Sequence, residues 1–452
     1  MIKFFRTISF LTSLIFLLSF LLSTHKFGVG FQDIGFASAI IFDRSDDGEL
    51  EEGRSESETR NKKGHFFENS STLEDVWSEL KQLLPRRGTQ GYIQPKPNII
   101  ADFERIVLDM MMIGQGWYEN DDKDMLVRDD YTLEFQTTRK NPPTSCNLIN
   151  LRSLKGMYRV GNFVDMENGR SYCILATTSI MYPWGNVIVD LDASSRTKNL
   201  SFDCPHPLFD AETGEQGIRL LKGTTARSWI VAGSHRMAND QTFGSCQPKY
   251  SHYSSDVAHS VDNCFMAAVA AVKFYYESVV HQDYTSIQLH GMGKTSCGSI
   301  DTFFSHGSCS KSGKLQLHQL DSSEEKIEIL QRIARAHPSD NGEHAIATSD
   351  SVSSACKLCG STNTQGRLIN GVARNNLCNS FASSYNGRFI QIEQKRAYRR
   401  DTFAQFWNDV FNEAYPLFST NAVASARESI GCIDDLNDKT FVDDNEFCTT
   451  DR

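Results

Sequence analysis

The chain has 452 residues, 40% hydrophobic and 23% charged, with a formal net charge of −10. That much apolar material supports one large domain or two modest ones. The acidic balance and the lack of a basic stripe argue against nucleic acid as a partner.

In chain order, Lys3 and Arg6 precede an apolar run from Ile8 to Leu22, and the small-x-small triplet Ala37-Ser38-Ala39 follows. The run is short and Ser/Thr-punctuated for a membrane span but suits a signal peptide over residues 1–39. The expectation is a secreted or secretory-lumen protein with no stable span after cleavage, the alternative being a signal anchor. Twelve cysteines, none in the leader, fit an oxidising compartment in which most pair. Cys264 is expected to be disulfide-bonded, and the lone pair Cys356-Lys357-Leu358-Cys359 to bond other cysteines instead of forming a zinc or redox motif. Asn69-Ser70-Ser71 and Asn199-Leu200-Ser201 are glycosylation acceptors in a eukaryotic host.

Residues 40–70, acidic and Ser-rich, read as a disordered linker. Residues 71–145 form a helical N-terminal extension, with Ile99, Phe103, Ile106, Val107 and Met110 at helical spacing. From Cys146 to residue 420 strand-like runs alternate with helices. The fold class is α/β: a three-layer, mostly parallel mixed sheet with helices on both faces. Val187-Ile188-Val189, Trp229-Ile230-Val231-Ala232, Ile287-Gln288-Leu289 and Phe389-Ile390-Gln391-Ile392 are buried strands. The last three end at polar residues, where open α/β sheets gather their sites. Residues 401–416 close the domain as an amphipathic helix with Phe403, Phe406, Trp407, Val410 and Phe411 on its apolar side. An acidic tail, 421–452, is tethered through Cys432 or Cys448.

Six stretches carry chemistry. In Pro205-His206-Pro207-Leu208-Phe209-Asp210, a His and a carboxylate four apart can grip a metal ion, or form an ordinary Asx turn. A helix is expected just after it, capped through Thr213 and Gln216 and ending at Gly223. His290 ends a buried strand before Gly291 and Gly293, so His206, Asp210 and His290 make a two-His, one-carboxylate set with an open fourth position. Glu393 ends the Phe389-Ile390-Gln391-Ile392 strand, sharing a face with Gln391, and is placed to act as general base. Its strand echoes Ile287-Gln288-Leu289-His290. Arg236 and Asn239 lie in a loop after a strand, where Arg236 can polarise a carbonyl or bind a carboxylate. A helix from Asp256 to Val280 puts Asp256, His259 and Asn263 on its polar face. Arg367, in a Gly-punctuated loop from Gly360 to Gly371, is a second candidate contact for a substrate carboxylate.

In this order the motifs resemble the N-formylglutamate amidohydrolase-like group, relatives of the zinc carboxypeptidases. That family reads Pro-His, then Asn-Arg after a strand, a helix with a His, an Asp-x-His-Ser-Met strand end and a late Gln-Ile-Glu. The counterparts are Pro205-His206, His235-Arg236, His259, Gln288-Leu289-His290-Gly291-Met292 and Gln391-Ile392-Glu393, across roughly residues 200–400. The resemblance implies a doubly wound α/β fold and one zinc per chain on His206, Asp210 and His290, with Glu212 and Glu215 as rival acidic ligands. It also implies Glu393 as base and Arg236 as anion contact. His259, Asn239 and Arg367, by their own positions, are expected to line the substrate site. His235 stands where the family has Asn, and Gln288 where a carboxylate would orient the His. The expected function is a secreted zinc hydrolase of amide or peptide bonds acting on a small anionic substrate. The alternative is a non-catalytic binding protein on the same scaffold. A cysteine or serine hydrolase is disfavoured because no Gly-x-Ser-x-Gly elbow occurs.

Overall fold

The structure, a computed structural model, describes residues 69–113, 143–192, 194–246, 251–308, 326–337, 344–349 and 356–417. The proposed leader, nearly all of the linker and the acidic tail with Cys432 and Cys448 lie outside the described residues. No described helix is long and apolar enough to cross a membrane.

Among the described residues two helices come first, α1 (Leu73–Gln82) and α2 (Pro97–Met112). Thr72 caps α1 in a reciprocal box: its hydroxyl accepts from the Asp75 amide, and the Asp75 carboxylate accepts from the Thr72 amide. Leu73, Val76, Trp77 and Leu80 are the buried side of α1. Pro97 sits in the first turn of α2, where a missing N–H costs nothing. Buried Arg227 closes the far end of α2 by donating to the Met111 carbonyl (2.9 Å).

The nine strands are β1 (Tyr158–Val164), β2 (Ser171–Thr177), β3 (Asn186–Asp190), β4 (Lys198–Cys204), β5 (Ala226–Val231), β6 (Thr285–Gly291), β7 (Thr302–Ser305), β8 (Ile346–Thr348) and β9 (Phe389–Gln394). They form one mixed sheet in the order β1-β2-β3-β5-β4-β6-β9-β7-β8. The centre, β5-β4-β6-β9, is parallel. The pairings β1/β2, β2/β3, β3/β5 and β7/β9 are antiparallel. The sheet is therefore not mostly parallel: the links between β1, β2 and β3 are turns too short to hold a crossover helix, so those strands must fold back on each other.

The other helices are α3 (Thr213–Thr224), α4 (Cys264–Phe274), α5 (Lys326–Ala336), α6 (Thr364–Ile369) and α7 (Ala404–Ala414). Alternate strand residues enter two apolar clusters. Ile174, Phe202, Ile287, Leu289, Ile390 and Ile392 pack with α1, α3, α5 and α7, whereas Cys173, Leu175, Val187 and Val189 pack with α2 and α4. Both helices of the 71–145 segment thus belong to the core; Trp77 meets Trp229 edge-on with ring centres 5.4 Å apart. Apart from Phe389, which packs in the second cluster, the buried residues of β4, β6 and β9 that alternate with the first cluster are polar: Ser201, Asp203, Ser286, Gln288, His290, Gln391 and Glu393.

Three local expectations are corrected. The cap of α3 is Glu212 at φ 73° with no side-chain cap bond, and the helix runs through Gly223 to Thr224, so the Thr213–Gln216 box does not form. The stretch from Asp256 to Val280 is a 3₁₀ turn (Val257–His259), a break, α4 capped by Asn263, and a π turn (Tyr275–Val279). Cys264 is a free, buried thiol, as is Cys204; each lies within an apolar cluster. The bonded pairs are Cys146–Cys173, Cys246–Cys378 and Cys297–Cys356, and Cys359 is also disulfide-bonded. At Asn199 the side-chain amide donates to the Asp283 carbonyl (2.9 Å).

Candidate metal centre

The parallel strands β5, β4, β6 and β9 all point the same way, so their carboxyl ends line one edge of the sheet. His206 follows β4, the loop with His235 and Arg236 follows β5, His290 lies at the end of β6, and Glu393 at the end of β9. Register joins the last two strands: Gln288 lies opposite Gln391, and His290 opposite Glu393. The echo between the two strand sequences is thus a pair of cross-strand neighbours on one face.

A turn after His206, closed by the Asp210 amide on the His206 carbonyl (2.8 Å), brings the Asp210 carboxylate back to the His206 ring. Asp210 Oδ2 lies 3.3 Å from His206 Nδ1 and 3.3 Å from His290 Nδ1. All three side chains are buried. Each imidazole is held from behind. His206 Nε2 donates to Asp256 Oδ1 (2.9 Å), and His290 Nε2 donates to Gln288 Oε1 (2.8 Å). Asn363 donates to the same Gln288 oxygen, which fixes that amide as an acceptor. With the protons on Nε2, both Nδ1 lone pairs face inward. Two lone pairs and a carboxylate oxygen converging in a buried space can take a cation between them. Ligand bonds of about 2.0–2.1 Å in tetrahedral array would set ligand atoms about 3.3–3.4 Å apart, the spacing seen around Asp210. These residues therefore fit a zinc-like ion. Burial alone would push Asp210 up; with no cation between them, the imidazoles in their charged form donate to it, and those hydrogen bonds and charges from His206 and His290 hold it far below the usual carboxylate range.

Rival carboxylates face elsewhere. Glu215 pairs with Lys81 (2.6 Å), and Glu212 with Arg396 (3.3 Å).

Asp256 is the residue that sequence reasoning left without a role. Its Oδ1 accepts from His206 Nε2 and from His259 Nδ1 (2.9 Å each), and its Oδ2 pairs with Arg236 and lies 3.5 Å from His252 Nδ1. Burial would raise its pKa, yet His259, Arg236 and His206 hold it well below the usual range. The expected continuous helix hid it; the signal was the Asp256-x-x-His259 spacing, which a 3₁₀ turn closes into a hydrogen bond. His206, Asp256 and His259 also lie close enough to hold an ion. The Arg236 pair on Asp256 and the proton on His206 Nε2 instead suit a role behind the first group. Burial pushes His259 down to about 4, against the pull of Asp256.

Glu393 is buried and accepts from Gln391 (2.9 Å). Burial pushes its carboxyl up to about 7; His290 opposes that rise and Asp210 adds to it. Arg236 Nη1 reaches to 3.5 Å from His206 Nδ1, so the Asp256-bound guanidinium borders the metal group. Its side chain also lies over Phe209. Two expected substrate contacts are used structurally. Asn239 clamps the backbone of Tyr92, accepting from its amide (3.0 Å) and donating to its carbonyl. Arg367 is fully buried and donates to the carbonyls of Ser361 (2.8 Å) and Leu377 (2.6 Å), which holds the loops around α6.

No family model matches the chain, and no curated protein does. Among solved structures, succinylglutamate desuccinylase from Vibrio parahaemolyticus aligns at 13% identity and a TM-score of 0.30, over 58% of this chain and 69% of its own. A protein assigned as carboxypeptidase A from Shewanella denitrificans aligns at 13% identity and a TM-score of 0.20, over 61% of this chain and 66% of its own. At these scores neither likeness bears on the chemistry of the site.

Proposed function

We propose that the chain is a zinc-dependent hydrolase of amide or peptide bonds, exported from the cell, acting on a small anionic substrate. The observation that carries the proposal is the convergence of His206 Nδ1, His290 Nδ1 and Asp210 Oδ2, with both imidazole protons anchored on the far side. We read the sheet, with helices packed on both faces, as the three-layer scaffold for that site.

One zinc would be held by His206, Asp210 and His290, and it would polarise a carbonyl and acidify water. The chain's own groups supply the rest. Glu393 is the general base: its carboxyl, raised to about 7, can take a proton near neutrality and return it to the leaving amine. Arg236 stabilises negative charge developing on the carbonyl oxygen. Asp256 and Gln288 keep His206 and His290 in the tautomer that binds a cation. His259, buried and held by Asp256, supports that carboxylate.

The test is elemental analysis of the purified protein beside the His290→Ala and Glu393→Gln variants, followed by hydrolysis of acylated amino acids and small acidic peptides. The expected result is about one zinc per chain, lost in H290A and kept in E393Q, with turnover lost in both. Zinc retained without turnover in the unaltered chain would favour the non-catalytic binding protein. No zinc uptake would sink the proposal.

A further inference from the structure

We infer that Arg399 is a substrate-binding residue of this site and holds a carboxylate beside the scissile amide. The inference rests on the hydrolase reading for its substrate class, but the anion site it describes is testable alone. Arg399 ends the 3₁₀ turn Arg396–Arg399 that follows β9, and its side chain reaches back to β6. A Cβ on Gly291 would collide with Arg399 Nη1, so the glycine directly after His290 is what admits the guanidinium. Arg399 is only 5% exposed, and among the described residues neither its Nε nor its Nη1 has a hydrogen-bond partner.

A buried guanidinium with idle donors is costly unless something arrives to accept from it. The other buried arginines show the contrast. Arg227 also has a partnerless Nε, but both of its terminal nitrogens donate, to the Asp190 and Met111 carbonyls, and Arg367 donates to those of Ser361 and Leu377; at Arg399 a terminal nitrogen, Nη1, is idle as well. Arg236, the expected anion contact, is already paired with Asp256. Arg399 therefore offers two donors without a partner from the His290 side of the metal group, whereas Arg236, held by Asp256, approaches from the His206 side.

Charge decides when the anion binds. Asp210, Glu212 and Glu393 are the acidic neighbours of Arg399. With Asp210, Asp256 and Glu393 ionised, Arg236 and Arg399 leave the inner group one net negative charge. A divalent cation reverses that sign. Metal and carboxylate should each strengthen the binding of the other, as linkage requires.

The probe is glutarate, with glutaramide as its neutral isostere, titrated calorimetrically into the full-length protein with added zinc and again after chelation. The variants are Arg399→Gln, Arg399→Lys and Gly291→Ala, the last displacing the guanidinium without removing it; each is checked by thermal melting. The expected result is at least about tenfold weaker glutarate binding in R399Q and G291A, partial recovery in R399K, unchanged zinc content and no change for glutaramide. Equal glutarate affinity in the unaltered chain and R399Q, or no glutarate binding to the unaltered chain in either condition, would overturn the inference. Should R399Q fail to fold, G291A decides by the same criterion. If no zinc is taken up, yet glutarate binding is seen and falls in R399Q, the hydrolase proposal fails and the anion site stands.

Discussion

Asp210 faces two imidazole lone pairs and Asp256 faces an imidazole proton, so two buried aspartates on one histidine do opposite jobs. Replacing Asp256 by Asn keeps the shape but frees the tautomer of His206. D256N should lower zinc affinity by about 10–100-fold, read by competition against a chromogenic chelator. Glu393 gives a pH signature in the metal-free chain. Burial pushes its folded carboxyl up to about 7 from an ordinary value of 4.5, so the folded state holds the proton more tightly than the unfolded state. The associated stability is fully present below pH 4.5 and lost as pH rises through 7. The loss is up to roughly 3 kcal/mol by the pKa difference. His235, His259 and His344 are pushed down to about 4 and act in the reverse direction, adding stability as pH rises from 4 towards 6.5. The wild-type minus E393Q difference in urea unfolding between pH 5 and 8 isolates the glutamate and should fall with pH. A flat difference would refute the raised carboxyl.

At the scale of elements, α3 is pinned to α1 and to the sheet by two close approaches. A Cβ at Gly214 would strike the Trp77 ring, and one at Gly217 would strike Trp229 and Cys204. Gly217→Ala should therefore destabilise by about 1–3 kcal/mol through overpacking, measured by urea denaturation, although Ala is the better helix former. The strand ends were the legible part of the sequence. An Ile-Gln-x-His run and an Ile-Gln-Ile-Glu run have the period of a half-polar strand, and period alone puts His290 and Glu393 on the polar side. The Pro205–Asp210 loop was legible because its two ligands are four residues apart. Asp256, Gln288 and Arg399 were not. Asp256 lay in an apparent helix that a 3₁₀ turn interrupts, Gln288 read as a missing carboxylate, and the reach of Arg399 to Gly291 depends on tertiary packing. The antiparallel flanks escaped for a similar reason, since β1 has mixed burial that local hydrophobicity does not announce and the direction of the almost wholly buried β2 is set by its pairing.

For the whole molecule, the covalent links matter most where they join distant segments. Cys246, just beyond the loop that carries Arg236, is bonded to Cys378, 132 residues later and past α6. Replacing both by serine should cost about 2–5 kcal/mol of unfolding free energy, seen as a lower denaturation midpoint. No change would mean that packing alone ties the two loops together. The free thiols Cys204 and Cys264 are buried, and burial raises both well above the ordinary thiol value. Alkylating reagents should therefore leave Cys204 and Cys264 unlabelled in the folded chain and react at these two positions only once it is opened by denaturant.

The polar row of Ser201, Asp203, Ser286, Gln288, His290, Gln391 and Glu393 also has a consequence for assembly of the sheet. A slip of one residue between β6 and β9 would turn one strand's polar row into the Ile287, Leu289, Ile390 and Ile392 layer, stranding an imidazole or a carboxyl in hydrocarbon. The mispaired sheet would be penalised at several rungs together. The same side chains that gather at the strand ends would then proofread strand alignment during folding, before any ligand is bound.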